Sequence, residues 1–173
     1  IIDCARKSKS KHKYRDVALL ELLKTTGCRR DTVLTIKWSD VFFDKSEIRL
    51  NHQKTNNSVR IKMASSLVTA LKEHLNTSMD VTTYIFQSQK GTQLRKDAFS
   101  DLINKYATNS GVEKVAGFKI TSRTFRHSFI THCIINNIPL SVIAHITGHK
   151  DVESLKYYTH LVSKNTKEVA GLF

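Results

Sequence analysis

Two kinds of hydrophobic spacing alternate along the chain from Asp16 onward. In DVALLELLKTTG, Leu19, Leu22 and Leu23 share one face at the 3.6-residue period and Gly27 is a natural stop, so a core-facing helix is predicted over 16–27. A short apolar stripe of Val33, Leu34 and Ile36 leads to Trp38. SDVFFDKSEIRL and SVRIKM, rich in aromatic and β-branched residues, predict short strands, and the polar NHQKTNN between them predicts a hairpin tip. Helical spacing returns over 64–75 through Leu67, Leu71 and Leu75, and TTYIF predicts one more brief strand. Phe99, Leu102, Ile103 and Tyr106 mark a helix over 96–109, followed by a loop through Gly117. A further helix is predicted from Ser122 or Thr124 to Asn137, with Phe125, Phe129 and Cys133 at i, i+4 and i+8. Pro139 suits the first turn of a helix ending near Gly148, and a last helix is expected over about 151–162. With no internal repeat, the pattern reads as a helix-rich single domain with a small antiparallel sheet, an α+β class.

Residues 1–15 do not fit that pattern. They carry Arg6, Lys7, Lys9, Lys11, Lys13 and Arg15 against Asp3 alone, with no apolar period, and read as a basic arm or linker before a domain over 16–173. Charge is also what sets the whole chain apart. Its 173 residues suffice for a real core, but 28 lysines and arginines face 15 acids, a formal excess of +13. That excess points to a polyanion, either nucleic acid or an anionic membrane surface. No apolar run reaches the roughly 18 residues that cross a bilayer, and no signal peptide opens the chain, so a soluble, cytoplasmic protein is expected. Cys4, Cys28 and Cys133 are odd in number and widely spaced, and read as reduced thiols. The abrupt start without Met suggests a fragment of a longer protein.

Several chemistries lack their residues. His145 and His149 stand at i, i+4, with His127 and His132 nearby, but no HExxH and no carboxylate or thiolate at ligand spacing accompanies them. Neither GxxxxGK[ST] nor GxGxxG occurs, and no GxSxG elbow supports a Ser-His-Asp hydrolase. No cofactor or metal is therefore expected. What remains is a set of basic residues at the ends of predicted elements: Arg29 after the Gly27 stop, Lys54 at the hairpin tip, Arg123 and Arg126 opening a helix in SRTFRHSFITHC, and His149 and Tyr158 in ITGHKDVESLKYYTHL.

In that order and context these residues resemble the catalytic domain of tyrosine recombinases, the phage-integrase family, from Tyr14 to about Leu161. TGCR with Val33, Leu34, Ile36, Trp38 and Asp40 is similar to the family's first-arginine segment, and Lys54 followed by Thr55 to its hairpin lysine. Arg126, His127, Phe129, Thr131 and His132 are similar to HxLRHxFxTH, and His149 with Tyr158, nine steps on, to the closing LGH…Y segment. Three positions depart from the pattern: Arg123 replaces the usual His, Thr32 the usual acid, and Thr147 the usual Leu. Arginine donates to a phosphate oxygen but does not accept a proton, which raises the resemblance to type IB topoisomerases.

The resemblance implies a mostly helical fold with a three-stranded antiparallel sheet, double-stranded DNA as the partner, and homo-tetramers on paired sites for the full-length protein. It also implies roles. Arg29, Arg126 and Arg123 would clamp the nonbridging oxygens of a phosphodiester and lower the phenol pKa, Lys54 would protonate the leaving 5′ oxygen, and His149 would contact a nonbridging oxygen or assist the phenol. Tyr158 would form a 3′-phosphotyrosyl link that conserves the bond energy for resealing without ATP. Tyr157 is its rival, since neighbours on a helix point about 100° apart, and Lys62 rivals Lys54; Arg30 reads as a surface residue. Besides a recombinase, a topoisomerase-like strand relaxer or a catalytically silent DNA-binding module remains open.

Overall fold

The computed structural model describes residues 1–78 and 83–159. Its elements run α1 (Ile2–Arg6), α2 (Lys13–Thr26), α3 (Arg30–Thr35), β1 (Val41–Phe42), β2 (Glu47–His52), β3 (Asn57–Lys62), α4 (Ser65–Leu75), α5 (Lys96–Asn109), α6 (Val112–Ala116), α7 (Ser122–Ile135) and α8 (Leu140–Thr147). Single 3₁₀ turns cover Trp38–Asp40 and Glu153–Leu155, and helical backbone resumes over 156–159. The rest of the helix predicted to 162 lies outside the described residues.

Helix α2 is buried over most of its circumference, with Val17 to Leu20 and Leu22 to Leu23 all at 0–1% exposure, so it forms the axis of the main core. Around it pack α1, α4, α7 and α3, and the same core takes in Ile48 and Leu50 of the sheet and Phe99, Ile103 and Tyr106 of α5. A smaller second core joins Ile130 of α7, Ile143 and Ala144 of α8, Leu155 and Tyr158. The catalytically suggestive tyrosine thus sits in the packing between α7, α8 and the final described turn.

The sheet is β1-β2-β3, antiparallel throughout, with Leu50 opposite Val59 and His52 opposite Asn57. Strand alternation turns Ile48, Leu50 and His52 inward. On the outer face Arg49 and Arg60 stand directly opposite each other, a like-charge pair offset by Asp40, Glu47 and the Phe42 ring 3.9 Å from the Arg60 guanidinium.

Three sequence expectations change. Residues 1–15 are not simply an arm: α1 buries Ala5, Arg6 reaches the buried Glu21 of α2 at 3.4 Å, and α2 begins at Lys13 rather than Asp16. Arg15 is structural as well, bridging the buried Asp16 at 2.7 Å and donating to the Gln87 carbonyl at 2.9 Å, while Tyr106 donates to the other Asp16 oxygen. Charge density hides these contacts because Glu21 and the Gln87 carbonyl lie on other segments, and the burial of Asp16 depends on α5. TTYIF does not add a strand; Tyr84 makes an isolated bridge to Lys37, and Ile85 donates to the Ile36 carbonyl. The loop through Gly117 contains the single-turn-and-a-half helix α6, which buries no residue.

Candidate active site

Two helix ends of similar design build the site. Helix α2 ends in Thr26-Gly27-Cys28 and α8 in Thr147-Gly148-His149. In both, glycine takes the left-handed conformation, with φ of 56° at Gly27 and 70° at Gly148, which side chains with a Cβ adopt at a cost. In both, the threonine hydroxyl donates to the carbonyl four residues back, Leu22 at 2.7 Å and Ile143 at 2.6 Å. The Thr26 hydroxyl also accepts from the Cys28 N–H at 3.3 Å, and the Thr147 hydroxyl lies 2.7 Å from His149 Nδ1. Neither glycine has room for a side chain. A Cβ on Gly27 would lie 2.6 Å from Phe129 of α7, and one on Gly148 would lie 2.5 Å from Nδ1 of His52.

Helix C-termini leave backbone carbonyls without intrahelical donors, and here those carbonyls hold arginines. Arg126 Nη1 donates to Gly27 O at 3.0 Å and Thr147 O at 2.7 Å, so one guanidinium ties the end of α2 to the end of α8. Its Nη2 faces the His149 ring at 3.0 Å from Nε2. Arg29, the N-cap of α3, donates to Gly148 O. Arg123 projects from α7 one turn before Arg126 and is exposed. At the start of α7, the Thr121 N–H donates to Thr124 Oγ1 at 3.1 Å and fixes the turn that carries both arginines.

None of these three arginines has a carboxylate within ion-pair distance among the described residues. Neutral carbonyl dipoles position Arg29 and Arg126 without cancelling their charge. All three line a cavity of about 400 Å³ together with Cys28, His127 and Tyr158. Arg30, read from sequence as a surface residue, also reaches this wall, but it lies 3.7 Å from Asp31. Burial, then the adjacent Arg29 charge, brings Arg126 down to about 10, still cationic at neutral pH. Burial first, then Arg126 and Arg29, lowers His149 to about 4, so it is a neutral imidazole.

Tyr158 is 9% exposed and Tyr157 is 66% exposed. The Tyr158 hydroxyl shares a hydrogen bond with Nδ1 of His127 at 2.5 Å, and the two rings lie 5.3 Å apart. The expectation that arginines lower the phenol pKa meets a stronger opposing cause: burial raises Tyr158, and Arg126 offsets only part of it.

Of the sequence-selected residues, His149 does not line this cavity but meets Arg126 from an adjacent cleft, and Lys54 does not line it either. Lys54 is exposed in the turn between β2 and β3, while its neighbour Thr55 lines that adjacent cleft with Gly148, His149 and Lys150. Lys62, the alternative lysine, is committed elsewhere, 3.1 Å from Glu47 and donating to Lys45 O. The sequence reading missed two residues. His127 stands in the segment similar to HxLRHxFxTH and among the weighed metal candidates, but the sequence gives it no role beside Tyr158. His52 was passed over, although the period-2 alternation of Ile48 and Leu50 places it on the inner face. It is 2% exposed, lies against Gly148, and burial, Arg29 and Arg126 all lower its pKa. No group of three or more His, Cys, Asp or Glu at metal-binding distance occurs among the described residues, and the three cysteines are free.

A tyrosine recombinase XerD from Listeria innocua is 27% identical over 166 residues, covering 92% of this chain and 54% of the relative. Tyrosine recombinase XerA from Pyrococcus furiosus is 27% identical over 161 residues, covering 91% of this chain and 54% of the relative. The crystal structure of a XerA recombinase superposes with a TM-score of 0.80 at 27% identity, over 99% of this chain and 58% of that one. The XerH recombinase bound to its difH substrate shares the fold, with a TM-score of 0.79 at 20% identity over 98% of this chain and 50% of that one. The chain therefore spans about half the length of these relatives. The model of the phage integrase family matches residues 1–165, and the chain belongs to that family.

Proposed function

We propose that this chain is the catalytic domain of a site-specific DNA recombinase that cuts and rejoins DNA strands through Tyr158. The observation that carries the reading is a cavity lined by Tyr158 and by Arg29, Arg123 and Arg126, three arginines without a carboxylate partner among the described residues, while Asp31 on the same wall pairs with Arg30. A phosphodiester is the natural occupant of such a place. It brings the negative charge that the guanidiniums lack, and its planar oxygen pairs match their fork geometry.

In the proposed reaction the Tyr158 oxygen attacks phosphorus, the phenol proton leaves toward a nearby base, and the 5′ oxygen departs with a proton from Lys54. The P–O bond to the 5′ oxygen breaks as the P–O bond to tyrosine forms. Charge that grows on the nonbridging oxygens is met by Arg29 and Arg126, already held in place by carbonyls, and by Arg123 on the cavity wall. Reversal by a free 5′-hydroxyl reseals the strand, so neither metal nor nucleotide is needed. Approach of Lys54 requires the β2–β3 turn to meet the duplex beside the cavity. Four protomers of the longer protein would act on two paired sites.

One observation keeps a second reading in view. Arg123, on the cavity wall, donates but does not accept, as suits a topoisomerase-like strand relaxer. Relaxation of supercoiled plasmid by monomers without paired sites would favour it. The primary test mixes the chain with nicked duplex substrates in EDTA, without nucleotide, and looks for a denaturant-resistant protein–DNA adduct. The expected result is an adduct with the parent chain and none with Tyr158→Phe. DNA binding without any adduct would identify a silent binding module.

A further inference from the structure

Resting on the reading of the cavity as a phosphodiester site, the structure assigns a positioning role to Thr147: its hydroxyl holds His149 in the tautomer that carries the proton on Nδ1. The argument is a count of protons. The Thr147 hydroxyl has one, and the Ile143 carbonyl, 2.6 Å away and able only to accept, takes it. The same oxygen lies 2.7 Å from His149 Nδ1, so at that contact it accepts and Nδ1 donates. A neutral imidazole with a proton on Nδ1 has none on Nε2. Arg126 Nη2 lies 3.0 Å from Nε2 and 3.3 Å from Nδ1, over the ring face, so it opposes a second proton without selecting between the nitrogens, and the choice falls to Thr147.

The ring is held between Thr147 of α8 and Arg126 of α7. The charged or titratable groups that act on it are Arg126, Arg29, His52 and Asp151; the two arginines and His52 oppose a second proton, and Asp151 favours it. His149 therefore enters the reaction as an acceptor at Nε2, not as a donor there. Leucine, the residue usual at this place in related sequences, offers no such oxygen. In this chain the fixed tautomer comes from a side chain at the last helical position, the same arrangement that Thr26 provides for the Cys28 amide. Thr147 does not line the cavity and acts only through His149.

The test reads the tautomer itself and then its effect. In the 173-residue chain labelled with ¹⁵N-histidine, with His149 assigned by loss of its signals in His149→Gln, Nδ1 is expected at a pyrrole-type shift and Nε2 at a pyridine-type shift at neutral pH. Thr147→Ser should preserve that pattern. Thr147→Val, close in shape, should move population to the Nε2–H form and slow adduct formation on nicked DNA about three- to tenfold, the worth of one neutral hydrogen bond, with Thr147→Ser within about twofold of the parent. An Nε2–H tautomer in the parent chain overturns the proposal. So does a Thr147→Val variant that keeps the Nδ1–H form, or one that changes tautomer with an unchanged rate. If the parent chain forms no adduct at all, the reading of the cavity fails while the tautomer measurement still decides the hydrogen-bond assignment.

Discussion

Arg126 spans two helix ends, with one nitrogen 3.0 Å from the carbonyl of Gly27 and 2.7 Å from that of Thr147. Both acceptors are neutral, so the residue is fixed in place and still carries an unmatched charge into the cavity. This separation of positioning from neutralisation is what a phosphate-binding cation needs, and substitutions at Arg126 probe it directly. Arg126→Ala should slow covalent attachment to nicked DNA by about 100- to 1,000-fold, the usual loss for a preorganised donor. Arg126→Lys should recover little, because an ammonium on a flexible stem cannot hold Gly27, Thr147 and His149 while also meeting a phosphate. Near-parental rates with Lys would show that the fork geometry is dispensable.

The glycines at the two helix ends should be intolerant for stated reasons. Gly148→Ala places a Cβ 2.5 Å from His52 in a left-handed backbone conformation, and Gly27→Ala places one 2.6 Å from Phe129. Each should destabilise the chain by about 2 kcal/mol or more, from backbone strain and displaced packing together. Gly117→Ala is the control, since its Cβ would meet nothing within 4 Å and only the backbone cost remains. Urea denaturation midpoints give the comparison; equal midpoints for all three variants would contradict the close approach.

Acidification should weaken the fold through His149. Its folded pKa of about 4 lies below the ordinary histidine value of about 6.5, so between those values the unfolded chain binds more protons than the folded one. Stability from this group is complete above about pH 6.5 and is lost as pH falls through 4. His52 and His74, both lowered chiefly by burial, act in the same direction. Denaturation midpoints measured from pH 7.5 to 4.5 should fall, and His149→Gln should flatten that slope. An unchanged slope in the variant would place the acid sensitivity elsewhere.

Arg15 and Asp16 test the reassignment of the basic N-terminal residues. Asp16 accepts from Arg15 and Tyr106 and is 3% exposed, so Asp16→Ala strands two donors and should cost about 3 kcal/mol, read from denaturant unfolding. Lys9→Ala, on an exposed residue of the same stretch, should leave stability within about 0.5 kcal/mol. A small effect at Asp16 would return Arg15 to the status of a free basic residue.

Local signals in the sequence reached the helices well, and the reasons are visible. Helix α5 was predicted over 96–109 and runs Lys96–Asn109, because its apolar stripe and its terminating Ser-Gly are both encoded within the element. Gly27 and Gly148 were legible as stops, and the nine-residue interval from His149 singled out Tyr158 over Tyr157. What the sequence did not show depends on contacts between distant segments. Nothing near Thr147 announces that Arg126, 21 positions earlier, will donate to its carbonyl. His127 became the partner of Tyr158 only when α7 packed beside the last described turn, 31 residues away in the chain. TTYIF has strand composition, yet its described residues 83–86 meet the short stretch 36–38 only through one isolated bridge and two flanking backbone hydrogen bonds, so they form a bridge rather than a strand. The phenol pKa is another such case: charge counting anticipates a fall, and burial against Leu155 and α7 reverses it.

The central claim is that the unmatched arginines present one phosphodiester to Tyr158. Its most direct test is to trap the chain on a nicked suicide duplex whose cleaved fragment diffuses away, digest the adduct, and map the peptide that carries the nucleotide by mass spectrometry. The account predicts a single phosphodiester adduct on Tyr158. An adduct on Tyr157, on a serine, or on Tyr158 at an undiminished rate after Arg126→Ala would contradict it.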